Sequence, residues 1–309
     1  MQRAALAVGL LAVFVGADGR AAPSLTATAR ASARPRECAA RPHGSAGRWK
    51  ANVWDAAREP ALDRYCDLMA KALGQLAVSP QNARMTADLA DAVSPGHAGP
   101  AAVRARALVA GGAFALAARE FARAREIDPR SVEDPETMRD WARCLARVGR
   151  AKEALDAFRA LAPRVGLLPG ADQGRTLLEA AEVALSIGPA ALDDAIAFLR
   201  EAKRVSASDG AVLAALALAL DRRGMNEEAA SVAIEASRRL EQNANSVEDT
   251  TGEAIAAVAL VSEATDRASA IRGWERYLQG DGAKGPWADH ARRRLDALKK
   301  QGGKGGVRR

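Results

Sequence analysis

The feature that most constrains the fold is a pair of short helices whose pattern recurs along the chain. An alanine early in the second helix of each copy marks the spacing. These alanines are Ala117, Ala154, Ala195, Ala229 and Ala270, at steps of 37, 41, 34 and 41 residues. One helix pair cannot bury its apolar face alone, so this spacing predicts a solenoid in which each copy packs on the next.

Each copy places particular residue types at particular positions. We expect a left-handed glycine to end the first helix. These glycines are Gly112, Gly149, Gly188 and Gly224. We also expect one large side chain of the second helix to fill the groove against the neighbouring copy. These side chains are Phe121, Phe158, Leu199 and Trp274. In the stretch FARAREIDPR, Asp128 and Pro129 are expected to stop the second helix, because proline cannot continue it.

These copies resemble tetratricopeptide repeats (TPRs). Three stretches carry the resemblance: ALVAGGAFALAAREFARAREIDP, WARCLARVGRAKEALDAFRAL and LALALDRRGMNEEAASVAIEA. It covers residues 98–280 and is strongest at 98–131 and 135–168. The copy at 172–208 has a longer turn at Gly188 and Pro189, and the last copy has Thr265 where the others have glycine. The resemblance implies an all-α fold, a right-handed α-solenoid of helix-turn-helix repeats with a C-terminal capping helix.

Composition supports a helical core built from small side chains. Alanine makes up about a quarter of the 309 residues and aromatic residues only 4%. Alanine favours helices and lets them approach closely. The formal charge of +7 lies largely in the two ends of the chain, so it does not by itself indicate a nucleic-acid surface.

The segments outside the repeats have distinct compositions. Residues 1–17 join a short basic start to a 14-residue apolar run that ends in small residues, which predicts an export signal. The other predicted segments are a disordered linker at 18–48, an N-terminal helix pair at 49–97 that is a candidate divergent repeat, a capping helix at 281–300 and a basic tail at 301–309.

Few residues are arranged for chemistry. Cys144 fits a helical core position, whereas Cys38 and Cys66 either form a disulfide in an oxidising compartment or remain two thiols. The three histidines, His43, His97 and His290, have no metal-ligand spacing, and no nucleophile motif or phosphate-binding glycine loop is present. The sequence therefore predicts no enzyme, no cofactor and no metal site.

One group of arginines is a candidate partner-binding surface. Arg139, Arg143 and Arg147 are spaced by four and share a helix face. The TPR resemblance implies that Arg106 and Arg175 face the same groove. Two alternatives remain open for this stripe. In one, the acidic residues Glu136, Asp140 and Glu179 neutralise it; in the other, the stripe binds an acidic peptide or polymer.

The predicted function is a non-catalytic scaffold of the bacterial cell envelope that binds another protein or peptide, acidic in one alternative, through its concave face. The predicted location is exported, either periplasmic or secreted, with no transmembrane span in the mature chain. The alternative is a protein that binds an anionic polymer or a membrane surface through its basic ends and the arginines. No specific nucleic acid is expected, and the lysine-asparagine clamp of chaperone-binding TPR proteins is not matched.

Overall fold

A computed structural model describes residues 35–39, 60–207, 209–243 and 252–303. Its α-helices in chain order are α1 (Arg36–Ala39), α2 (Pro60–Gln75), α3 (Pro80–Val93), α4 (Ala98–Ala110), α5 (Phe114–Ile127), α6 (Pro135–Arg147), α7 (Ala151–Leu161), α8 (Gly170–Ile187), α9 (Leu192–Val205), α10 (Gly210–Arg223), α11 (Asn226–Asn243), α12 (Gly252–Ser262), α13 (Arg267–Gln279) and α14 (Ala288–Gly303). The signal, most of the linker, residues 49–59 and residues 304–309 lie outside the described residues.

The helices form pairs that stack in chain order. Helices α4 and α5, α6 and α7, α8 and α9, α10 and α11, and α12 and α13 pack as five pairs, and the second helix of each pair packs on the first helix of the next. Helices α2 and α3 form a further pair that stacks on α4. The expected all-α solenoid of helix-turn-helix repeats is therefore confirmed for the described part of the chain.

The two sides of the array differ in how closely its helices approach. First helices of neighbouring repeats touch, α4 with α6, α6 with α8, and α10 with α12. Within the described ranges, no second helices of neighbouring repeats contact one another to a comparable extent. The shorter side of the stack is therefore the side of the first helices. We call the surface formed by α4, α6, α8, α10 and α12 the inner surface.

The turns between paired helices follow the glycine pattern. Gly112, Gly149, Gly188 and Gly224 have φ values of 73°, 81°, 104° and 88°, which confirms the predicted left-handed turns. The last pair turns without glycine. There the backbone N–H of Asp266 donates to the carbonyl of Ser262 at 2.7 Å, and the Asp266 carboxylate accepts from the backbone N–H groups of Ala268 and Ser269. This N-cap starts α13 where the other copies rely on a glycine.

The positions predicted to pack between repeats are buried. The large side chains Phe121, Phe158, Leu199 and Trp274 are at most 2% exposed, and the five marker alanines are at most 1% exposed. Helix α5 ends at Ile127, as predicted from the helix-stopping pair Asp128 and Pro129, and a 3-10 turn, Pro129–Val132, follows it. The longer turn after α8 contains a second 3-10 segment, Pro189–Ala191. The repeat register read from the sequence is thus confirmed.

The described part of the expected disordered linker, residues 35–39, is ordered. Residues 36–39 form the short helix α1, and a disulfide joins Cys38 of this helix to Cys66 on α2. The Tyr65 hydroxyl donates to the Glu37 carboxylate at 2.7 Å, and Cys38 is buried. A covalent bond and a partly buried hydrogen bond hold a stretch whose composition alone would not bury enough apolar surface to fold.

Candidate binding groove

The predicted arginines lie on the first helices but are largely occupied by neighbouring carboxylates. Arg106 on α4 is 9% exposed; its Nε donates to Asp140 at 3.1 Å and its Nη2 to Glu136 at 2.7 Å. Both carboxylates belong to α6, so the pair links two consecutive repeats. A buried guanidinium needs such partners, because without them the free energy lost on its dehydration is not offset by any interaction.

The next repeat boundary uses the same arrangement. Arg139 on α6 donates to Asp172 at 2.7 Å and to Asp140 at 3.1 Å. Arg143 forms a two-point contact with the carboxylate of Glu179 on α8. We call Arg106, Arg139 and Arg143 the arginine ladder. These are the pairs expected under the neutralised alternative, and they connect α4, α6 and α8 along the inner surface.

The two remaining arginines are more accessible. Arg175 is 62% exposed and contacts Asp172 at 3.2 Å on its own helix. Arg147 is exposed, and its guanidinium lies 5.8 Å from the ring centre of Phe114. The structure thus brings the five predicted arginines to one side of α4, α6 and α8. Of these five arginines, only Arg147 and Arg175 are exposed.

A pocket of about 120 Å³ lies further along the inner surface, between α8 and α10. Leu178 and Leu185 of α8 line it, together with Ala211 and Ala215 of α10. We call these two alanines the apolar floor of the pocket. Trp287, just before α14, closes the far side. Small alanine side chains on α10 leave this space open, because a methyl group cannot reach across to the neighbouring repeat.

Two carboxylates stand at this pocket. Glu182 of α8 and Glu253 of α12 both line it, and within the described part of the chain neither has a cationic group within ion-pair distance. Burial raises the pKa of Glu182, the charges of Glu253 and Glu179 raise it further, and Arg147 opposes them. Although the Glu182 side chain retains substantial exposed surface, the walls of the groove exclude part of the water around its carboxylate.

The C-terminal helix holds the pocket wall in place. His290 Nε2 lies 2.7 Å from Asp221 Oδ2, and both side chains are buried. Arg294 contacts Asp221 at 3.3 Å and Glu263 at 2.9 Å, and the Trp274 indole N–H donates to Glu263 at 2.8 Å. Helix α14 therefore docks onto α10 and onto the turn that follows α12 through these polar groups.

The C-terminal helix differs from the predicted capping helix in its bounds and in what the segment before it contacts. The prediction placed this helix at 281–300, whereas residues 281–284 form a 3-10 turn and the helix runs from Ala288 to Gly303. Trp287 is 1% exposed, and the carbonyl of the neighbouring Pro286 accepts a 3.4 Å contact from Arg222 Nη1 on α10. The connection before α14 therefore returns to the inner surface rather than only covering the last repeat.

Sequence reasoning missed Glu182, Glu253 and Trp287 as members of one site. A signal for them existed in α10, whose first eleven residues, GAVLAALALAL, carry no charge. Helix α10 therefore supplies no arginine to extend the arginine ladder. An acidic residue on α8 or α12 has no counterion to expect from the first eleven residues of α10.

The described residues contain no group of three histidine, cysteine or acidic side chains that could hold a metal ion. Nor does the described part of the chain contain a helix that is both long and apolar enough to cross a membrane. His97 contacts Ser94 and Glu37 beside α1, and Cys144 is buried with its Sγ donating to the Phe114 carbonyl at 3.0 Å.

Comparison with known proteins gives likeness of fold only. No family model matches the chain, and no curated protein matches it. Among solved structures, pilF of Pseudomonas aeruginosa is 17% identical with a TM-score of 0.48, covering 72% of this chain and 93% of that one. YrrB, described as a TPR protein with an unusual peptide-binding site, is 17% identical with a TM-score of 0.47, covering 67% and 97%. The TPR domain of P58(IPK) is 14% identical with a TM-score of 0.33, covering 82% and 70%.

Proposed function

We propose that this protein is a non-catalytic scaffold that binds a segment of another protein along its inner surface. The observation that carries the proposal is the open pocket between α8 and α10, which has an apolar floor and two carboxylates without ion pairs. A concave, largely apolar recess with a few polar groups is the usual form of a binding site. Stacked helix pairs provide such an extended concave surface.

The scaffold is proposed to act in the bacterial cell envelope after export. Residues 1–17 support this through their basic start and apolar run. The disulfide between Cys38 and Cys66 supports it independently, because disulfides persist mainly in oxidising compartments.

The arginines have divided roles in this proposal. Arg106, Arg139 and Arg143 set the relative rotation of neighbouring repeats, since each already contacts carboxylates of its own chain. Arg147 and Arg175 are the members exposed enough to contact the partner. Binding of an anionic polymer across the whole stripe is less favoured, because that ligand would have to displace the carboxylates of the arginine ladder.

Site-specific crosslinking in native cells tests the proposal. A photoreactive residue would replace Ser186, which is exposed on α8 one turn beyond Glu182. The matched control would replace Lys152, which is exposed on the second helix α7. We expect one discrete crosslinked protein from position 186 and none from position 152. Identical products from both positions, or none from position 186, would contradict binding at the inner surface.

A variant that fills the pocket provides an independent check. Ala211 is partly buried at the pocket floor, so Ala211→Phe introduces a ring into the open space. We expect the product crosslinked at position 186 to be lost while the helical circular dichroism is unchanged. Crosslinking that persists in this folded variant would place the partner elsewhere on the inner surface.

A further inference from the structure

The charge balance of the inner surface changes along the array. In its N-terminal half, Arg106, Arg139 and Arg143 each meet carboxylates of the same or the next repeat. In the C-terminal half, α10 offers no charged side chain before Asp221, and that carboxylate is engaged by His290 and Arg294. The inner surface therefore passes from carboxylates held in ion pairs to carboxylates, Glu182 and Glu253, that make no ion pair within the described residues.

The two carboxylates without ion pairs lie at the recess. Glu182 approaches the pocket from α8 and Glu253 from α12, on either side of the apolar floor formed by Ala211 and Ala215. The volume of about 120 Å³ is comparable to the roughly 150 Å³ of a cavity that holds one benzene molecule. It therefore admits one side chain and not a helix.

We propose that this pocket binds a lysine or arginine side chain of the partner protein, with the methylene stem on Ala211 and Ala215 and the cationic head at Glu182 and Glu253. The inference rests on the proposed function and identifies the chemistry of the segment bound there. It reverses the acidic partner considered from the sequence, because the two charged side chains that line the recess are both carboxylates.

Physical chemistry distinguishes this occupant from the others. Long basic side chains bury an apolar stem while keeping their charged end at a polar site, which matches an alanine floor flanked by carboxylates. A purely apolar side chain would remove water from Glu182 and Glu253 without replacing it. An acidic side chain would add a third negative charge to two that already repel each other.

Selection from a peptide library tests the inference. The intact mature protein would be immobilised and challenged with a phage-displayed library of random dodecapeptides. We expect lysine and arginine at one fixed position to be enriched about fivefold or more over the input library. Replacing that residue by norleucine, which keeps an aliphatic stem without the charge, should weaken the selected peptide about tenfold or more.

Charge-neutral variants provide the matched controls. Glu182→Gln combined with Glu253→Gln should abolish the preference for lysine over norleucine, whereas Glu227→Gln, in the exposed first turn of the second helix α11, should leave it intact. Selection of neutral or acidic motifs, equal selection by the doubly neutral variant, or no enrichment at all would overturn the inference.

The outcomes separate this inference from the proposed function. If neutral peptides are selected and suppress the crosslink at position 186, inner-surface binding stands and the cationic specificity is wrong. If no peptide is selected and no crosslink forms, both fail.

Removal of the basic residues 304–309 should leave the selected peptides and their affinities unchanged. If cationic peptides bind only after that removal, the chain's own terminus is the occupant of the pocket and the assignment to a partner is overturned.

Discussion

The imidazole Nε2 of His290 and the carboxylate Oδ2 of Asp221 lie 2.7 Å apart, although the residues are 69 positions apart in sequence. Both side chains are buried, at 6% and 3% exposure. This contact joins the C-terminal helix to the last turn of α10 and so fixes Trp287 at the edge of the pocket. The shape of the candidate site therefore depends on how firmly α14 is docked.

Loss of this contact should loosen the C-terminal helix. His290→Ala leaves the buried Asp221 carboxylate with Arg294 as its remaining partner, and we expect a cost of about 1–3 kcal/mol. Hydrogen exchange should accelerate in peptides from residues 288–303. Asp289→Ala, at a neighbouring and 83% exposed side chain, is the control and should leave exchange nearly unchanged. Equal exchange in the two variants would contradict the role of the pair.

Backbone conformation at the repeat turns can be isolated from packing. Gly149 has a φ of 81°, and a methyl group placed there would meet no atom within 4 Å. Gly149→Ala should therefore cost about 1–2 kcal/mol through the left-handed backbone alone. Gly166 has equal space but no positive φ, so Gly166→Ala should change stability by about 0.5 kcal/mol or less. Urea denaturation of both variants measures the difference, and equal midpoints would refute the turn assignment.

The arginine ladder should contribute to stability more than to binding. Arg106→Met removes the cation shared by Asp140 and Glu136 and leaves Asp140 with Arg139, and we expect the free energy of unfolding to fall by about 2–3 kcal/mol. Arg175→Met removes a side chain that is 62% exposed and should cost less than about 1 kcal/mol. Thermal unfolding compares the two. A small loss for Arg106→Met would mean that the pair does not hold the repeats together.

The disulfide should be detectable by alkylation and by stability. Cys38→Ser with Cys66→Ser opens a loop with a sequence separation of 28 residues, and the expected loss is about 3 kcal/mol. Burial raises the pKa of the Cys144 thiol to about 11, so the folded, unreduced protein should take up no iodoacetamide at neutral pH. Cys144→Ala serves as the control and should leave that result unchanged. One rapidly labelled thiol before reduction would contradict it.

The ionisation of Glu182 should reduce stability as pH rises. Its pKa is raised in the folded state, first by burial and then by Glu253 and Glu179, so the folded protein retains a proton that the unfolded chain releases. Stability linked to this group therefore falls as pH increases from the unfolded pKa through the folded pKa. Arg147 on α6 faces the same carboxylate and limits the effect.

Neutralisation of this carboxylate should remove that part of the pH dependence. At neutral pH, Glu182→Gln should stabilise the protein by less than about 1 kcal/mol, because the side chain retains exposed surface. The gain should disappear at a pH below the unfolded pKa of a glutamate, where wild type is protonated as well. Urea titrations at several pH values measure both limits. A gain that is the same at every pH would assign the effect to packing rather than to charge.

Much of the architecture follows from the sequence because it depends on local features. Gly149 lies where the chain turns with a positive φ, and Phe158 is buried on the helix that follows. The turn and the buried position are both set within a single repeat. The shared face of Arg139 and Arg143 likewise follows from helical spacing alone. Two of their carboxylate partners, Asp140 and Glu179, were among the candidates, whereas Asp172 was not.

The pocket did not follow, because it is formed by residues far apart in the chain. Glu182, Glu253 and Trp287 come together only through the rotation between stacked repeats and the return of the C-terminal helix onto the inner surface. A repeat period reports that helix pairs stack, but not the angle between them or where the last helix docks. The sequence by itself determined the helix pairs, their turns and their register. Tertiary structure alone decided which charges are neutralised and which remain at a recess, because that depends on contacts between elements that no local pattern encodes.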